Sequence, residues 1–205
     1  MNLKIKVCGM RETENIKELI LLKPDFIGFI FHEKSSRNIT EIPKTTIPKT
    51  IKKVGVFVDK PMDYILDKNY KFQLNFVQLH GNESPEFCKK LHQKKINIIK
   101  AFNIDQTFDF NTLENYKTYC SYFLFDAKGK MAGGNGITFN WNLLHKYQNK
   151  TPFLLSGGID ETMINKIKNL KHRQFKGIDI NSKFEIKPAF KDINKIKKLI
   201  TEIKK

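Results

Sequence analysis

The chain has little of what marks a secreted, membrane-spanning or metal-binding protein. Its 205 residues hold three cysteines, Cys8, Cys88 and Cys120, an odd number at wide spacings that fits neither a disulfide framework nor a zinc site, so a reducing cytoplasm is the expected compartment. No apolar run approaches the length of a membrane span. The opening MNLKIKVCGM alternates apolar residues with Lys and lacks the continuous apolar stretch of a signal peptide. Acidic residues are few beside basic ones, 21 against 37, for a formal net charge of +16. Arginine is scarce, and the lysines are scattered over nearly every helix-like stretch rather than gathered with aromatics in one stripe. The charge therefore reads as a solvated surface that attracts small anions, and neither nucleic acid nor membrane is expected as a partner. Walker spacing, a dinucleotide fingerprint and a metal-ligand cluster are all missing, so no metal and no cofactor is expected.

What is present is a repeat. Short runs rich in Ile, Val and Phe recur along the chain, and the stretches between them show helical spacing with Lys, Asn and Glu on the other face. Candidate strands are Leu3–Cys8, Asp25–Phe31, Lys53–Val58, Phe76–Leu79, Asn97–Phe102, Tyr122–Asp126, Phe153–Ser156 and Gly177–Ile180. Their near-continuous apolar character is what strands covered on both faces require. Ser84-Pro85-Glu86 and Asp160-Glu161 read as helix starts. Residues 38–50 contain Pro43 and Pro48 and predict a loop in place of a second barrel helix. Eight such units in this length predict an α/β fold, one (β/α)8 barrel of the TIM type over residues 1–205, with a doubly wound open sheet as the alternative. A barrel gathers the C-terminal ends of its strands on one rim, so residues distant in sequence meet there.

The strand ends carry the chemistry. The first brings Cys8 to the rim beside Gly9; read alone, this thiol is as readily inert as reactive. Arg37 stands in the polar loop after the second strand, where a planar guanidinium suits a carboxylate or phosphate. Asp59, after the third, reads as a helix cap. Polar Gln78 inside the fourth strand demands a partner, and His80 follows it. The sixth strand ends in Asp126, a carboxylate delivered to the rim and followed by a glycine-rich segment that includes Gly134. Gly157 and Gly158 precede a helix start, where backbone amides and the helix dipole suit a phosphate, and Ser182 and Lys183 stand at the matching place after the eighth strand.

Taken in order, KVCGMR, GFIF with SSR, VGVFVD, VQLHG, FDAKGKMAGGNGITFNW, LLSGGI and DINSKFE followed by Lys191-Asp192 resemble the successive signatures of the phosphoribosylanthranilate isomerase family of tryptophan biosynthesis. The resemblance spans nearly the whole chain. It implies a (β/α)8 barrel that needs no cofactor and converts N-(5-phosphoribosyl)anthranilate to 1-(2-carboxyphenylamino)-1-deoxyribulose 5-phosphate, with Cys8 as general base and Asp126 as general acid. It further implies Arg37 on the anthranilate carboxylate and Gly157, Gly158 and Ser182 on the phosphate. Gln78, His80 and Gly134 are read beside these as further candidate substrate contacts, His80 with a structural role as the alternative. Such chemistry asks that Asp126 hold a proton in the substrate complex, and that Cys8 either have a lowered pKa or be deprotonated with the substrate's help. Lys183 stands where the family commonly has Gly, and Ala189 where it has Pro-Gly, so the phosphate contacts depart from the pattern. A runner-up is another phosphate-binding barrel isomerase, such as the aminoimidazole ribotide isomerase of the histidine pathway, whose acid-base pair is two Asp. The sequence is compatible with a monomer or a homodimer.

Overall fold

A computed structural model describes residues 3–127 and 140–205. Eight parallel strands close into a barrel in chain order: β1 (Lys4–Val7), β2 (Phe26–Ile30), β3 (Lys52–Phe57), β4 (Phe76–Leu79), β5 (Ile98–Ile104), β6 (Tyr122–Ala127), β7 (Phe153–Leu155) and β8 (Phe175–Ile180). β8 returns to pair with β1, Lys4 opposite Gly177 through Val7 opposite Ile180. The open-sheet alternative is thereby excluded. A short antiparallel pair, β9 (Glu185–Lys187) and β10 (Phe190–Lys191), follows β8. The α-helices described are α1 (Thr13–Leu21), α2 (Met62–Phe72), α3 (Pro85–Gln93), α4 (Ile164–Asn169) and α5 (Ile193–Lys204).

Successive strand residues point to opposite faces, and a closed barrel buries both. One parity lies between barrel and helices, where Ile5, Phe29 and Phe125 meet helix residues such as Ile16, Leu91 and Leu199 in one apolar cluster. The other parity points inward. There Phe26, Val54, Ile99, Ala101 and Leu124 form a separate small cluster that fills the barrel interior, bordered by Phe76 and Tyr122.

The outer layer is less regular than eight equal repeats. Residues 38–51 form no helix, as the two prolines require, and this stretch is anchored by buried Ile39 and Ile51. The connection from β5 to β6 is a 3-10 helix, Phe110–Asn115; another, Trp141–Lys146, precedes β7, and a third, Glu161–Met163, leads into the six-residue α4. Rings fill the space that longer helices would occupy: Phe110 contacts Phe125 edge-on at 5.9 Å, and Tyr147 contacts Phe125 and Phe153 at 5.1 and 5.4 Å between centroids. Ser84 caps α3 as its sequence predicts, accepting from Phe87 N at 3.2 Å. Asp59 does not cap α2. It adopts φ 49°, and its Oδ1 accepts from Asn82 N at 2.6 Å while its own amide donates to Glu83 Oε1 at 3.0 Å, so it ties the loop after β3 to the loop after β4. Among the described residues no helix is long and apolar enough to cross a membrane.

Candidate active site

The inward parity continues beyond the apolar layer toward the C-terminal rim, where it turns polar. Cys8, Ile30, Val56, Gln78, His80, Asp126, Ser156, Asp179 and Asn181 line one pocket of about 780 Å³, counting its open mouth, together with Arg37, Gly157, Gly158, Ser182 and Lys183 from the loops. Every strand that contributes does so through its last inward positions, which is why residues up to 175 positions apart, Cys8 and Lys183, share one cavity.

Asp126 is buried at 6% exposure near the end of β6. Its Oδ1 accepts from Ala127 N at 2.9 Å, and its Oδ2 lies 3.2 Å from His80 Nε2. The second approach lacks hydrogen-bond alignment, and His80 Nε2 has no aligned partner among the described residues. Gln78 holds the other side of the ring, with its Nε2 2.9 Å from His80 Nδ1. Gln78 Oε1, also buried, is left without a partner among the described residues. Two orphaned polar atoms at the floor of a cavity are what a polar ligand would satisfy. Gly157 explains how the seventh loop comes so near. A Cβ on it would stand 2.6 Å from Ala127 N and 2.7 Å from Asp126 Oδ1, and its φ is 83°.

Cys8, just after β1, lines the same pocket and is 4% exposed. Burial pushes its thiol above the ordinary value and nearby Lys6 offsets only part of this. The lowered pKa considered from the sequence is thus corrected, because desolvation disfavours the thiolate more than one cation restores it.

Arg37 meets a carboxylate of the protein itself. Its Nε donates to Glu185 Oε1 and Oε2 at 2.9 and 3.0 Å and its Nη2 to Oε2 at 2.6 Å. Lys191, wholly buried, donates to Glu185 Oε1 at 2.6 Å and to Asn181 Oδ1 at 2.7 Å. The β9–β10 turn that makes this possible has Ala189 at φ 67°, with its amide donating to Glu185 Oε1 at 3.1 Å. Bonding through the Nε–Nη2 edge leaves the Nη1–Nη2 edge of Arg37 for a second carboxylate.

Gly157 and Gly158 adopt φ 83° and 61° and line the pocket together with Ser156, Ser182 and Lys183. The helix dipole invoked from the sequence is minor here, because only a single 3-10 turn and the short α4 follow. Successive glycines in the left-handed region are the backbone conformation that suits an anion.

The comparisons with known proteins agree with this arrangement. Residues 5–202 match the family model of N-(5'phosphoribosyl)anthranilate (PRA) isomerase. The chain belongs to this family. A relative from Parabacteroides distasonis, named N-(5'-phosphoribosyl)anthranilate isomerase, is 45% identical over 204 residues that cover 97% of this chain and 92% of that one. The crystal structure of phosphoribosyl anthranilate isomerase from Thermotoga maritima superposes with TM-score 0.83 at 32% identity, covering 98% of each chain. Another isomerase structure, in complex with reduced 1-(o-carboxyphenylamino)-1-deoxyribulose 5-phosphate, superposes with TM-score 0.79 at 28% identity, again over 98% of each.

Of the site residues expected from sequence in this PRA isomerase family member, Cys8, Arg37, Gln78, His80, Asp126, Gly157, Gly158 and Ser182 all line the one pocket. Gly134 lies outside the described residues. Sequence reasoning passed over Lys6, Asp179 and Glu185. Lys6 stands two residues before Cys8 and Asp179 two before Asn181, so strand alternation alone assigns both to the inward face. Glu185 and Lys191 are recognisable as a pair only once the hairpin folds back.

Proposed function

We propose that this chain converts N-(5'-phosphoribosyl)anthranilate to 1-(2-carboxyphenylamino)-1-deoxyribulose 5-phosphate, with Cys8 as base and Asp126 as acid. The observation that supports this most is that a thiol just after β1 and a carboxylate on β6 line one pocket, together with a glycine pair and an arginine. The two charged ends of the substrate fit these two sectors. Phosphate suits the amides of Gly157 and Gly158 with Ser182, and the anthranilate carboxylate suits the free edge of Arg37.

Between them lies the ribose. Asp126 donates its proton to the ring oxygen, the bond from that oxygen to C1' breaks, and the anthranilate nitrogen shares its lone pair to leave an iminium at C1'. The iminium acidifies the C2' hydrogen, which the Cys8 thiolate removes; the enolamine so formed tautomerises to the ketone. Burial holds Cys8 above an ordinary thiol, so its proton passes to water in the open pocket only as the substrate binds. Gln78 and His80 place a ring beside Asp126 and aim that carboxylate at the sugar.

The runner-up, a barrel isomerase for a substrate with two phosphates, is disfavoured because its acid-base pair would be two Asp, and here the first strand ends in Cys8. The test is turnover of freshly generated phosphoribosylanthranilate, followed as loss of its fluorescence. Wild type is expected to be active, and Cys8→Ser and Asp126→Asn, both folded by circular dichroism, to lose about 10²–10⁴-fold or more in kcat. An inactive wild type would remove the substrate assignment; an active Cys8→Ser would move the base elsewhere.

A further inference from the structure

The chemistry above leaves unused a wholly buried charge on the first barrel strand. Lys6 is 0% exposed on β1, and its ammonium donates to both carboxylate oxygens of Asp179 at 3.0 Å. The β1–β8 register sets the two residues opposite each other. An ion pair so placed is costly to desolvate, and a hydrophobic pair would hold two strands together as well, so stability alone is a poor reason for it.

Three further observations connect Lys6 to Cys8. The two residues are separated by one position on a strand, so they share the inward face. β2 clears the space beside them: a Cβ on Gly28 would stand 2.9 Å from Cys8 Sγ and 3.2 Å from Lys6 Nζ, so the sulfur and the ammonium converge on one point that only glycine leaves open. The ammonium also interacts with two acids at once. Burial works against its charge, yet Asp179 and Cys8 together hold Lys6 above the ordinary lysine value.

We propose that Lys6 is a positioning residue for the base: its ammonium, kept in place by Asp179, lies against the Cys8 sulfur and stabilises the thiolate once the thiol has lost its proton. This rests on the reading of Cys8 as base. The thiol proton passes to water in the open pocket, Lys6 keeps its own three, and the thiolate then accepts the C2' hydrogen as a proton. The charged groups acting on Cys8 are Lys6 from its own strand, Asp179 from β8 and Lys191 from β10. β2 contributes only Gly28 at this point, and His80 and Asp126 across the pocket bear on Asp179.

The experiment is the pH dependence of iodoacetamide alkylation at Cys8 in the free enzyme, resolved from Cys88 and Cys120 by peptide mass spectrometry. Lys6→Met alone would strand the Asp179 charge and is open to misfolding, so the informative variants are Asp179→Asn and the double variant Lys6→Met/Asp179→Asn. The double variant is expected to raise the midpoint by about one to two pH units, and Asp179→Asn to lower it, since the thiolate then has the cation to itself. A purely structural pair would leave both midpoints at the wild-type value, and that result overturns the proposal. The rising limb of kcat/KM against pH should move with the alkylation midpoint. If alkylation shifts while the kinetic limb stays fixed, Cys8 is not the base and Lys6 has no part in the reaction.

Discussion

A buried carboxylate between two cations can be examined one residue at a time. Burial would push the Glu185 carboxyl up, but hydrogen bonds and charges from Arg37 and Lys191 more than offset it and hold Glu185 below its ordinary value. A lowered folded-state pKa means that the contribution is complete above the unfolded value of 4.5 and is lost as pH falls through the folded value below it. Glu185→Gln is therefore expected to be less stable than wild type at neutral pH, with the gap narrowing on acidification below 4.5. Urea unfolding at stepped pH measures this; a gap of constant size would show that the charge of Glu185 is not what stabilises the site. At this scale the sequence was a partial guide. Cys8, Asp126 and Arg37 stand out because a reactive or charged group closes or follows an apolar strand, whereas Glu185 sits in an ordinary stretch of charged residues and acquires its meaning from a partner 148 positions away.

Elements are held by signals of different range. α5 is a twelve-residue helix that lays Ile196, Leu199 and Ile203 against the barrel, and it begins where Asp192 Oδ1 accepts from Lys195 N at 3.1 Å. Removing this cap by Asp192→Ala is expected to cost about 0.5–2 kcal/mol, measurable by denaturant unfolding, with kcat little changed if the packing of the hairpin survives. The eight strands were legible within one or two residues because their apolar runs answer to burial on both faces, a demand written locally. The helices were less so. The 3-10 helix Phe110–Asn115 does the work of a barrel helix because aromatic rings from three neighbouring elements occupy the volume a longer helix would take, and Asp59 left its expected capping role because Asn82 and Glu83 offered better partners across the next loop. Both outcomes depend on contacts between segments, which no local window contains.

For the whole molecule the excess of positive charge is the dominant long-range feature. Lysines with exposed ammonium groups cover the helices, and the pocket they surround is proposed to accept a substrate with a phosphate and a carboxylate. Capture of such an anion is expected to weaken with salt: kcat/KM should fall as ionic strength rises through the physiological range, while kcat stays nearly constant, because screening shortens the reach of the field without altering the bound complex. A kcat/KM independent of salt would assign the lysines to solubility alone.

While the β8–β1 pairing that closes the barrel was read from the structure, the sequence by itself determined the βα alternation and the family to which its ordered motifs belong. These are properties of short segments and their order, since periodicity and burial act over a few residues. Tertiary structure decided the electrostatics. The β1–β8 register set Lys6 against Asp179, the close approach of β7 to β6 let Gly157 reach Asp126, and the folded-back hairpin gave Arg37 its carboxylate. Charge interactions depend on distance and on the water excluded from around them, and both exist only after the barrel has closed.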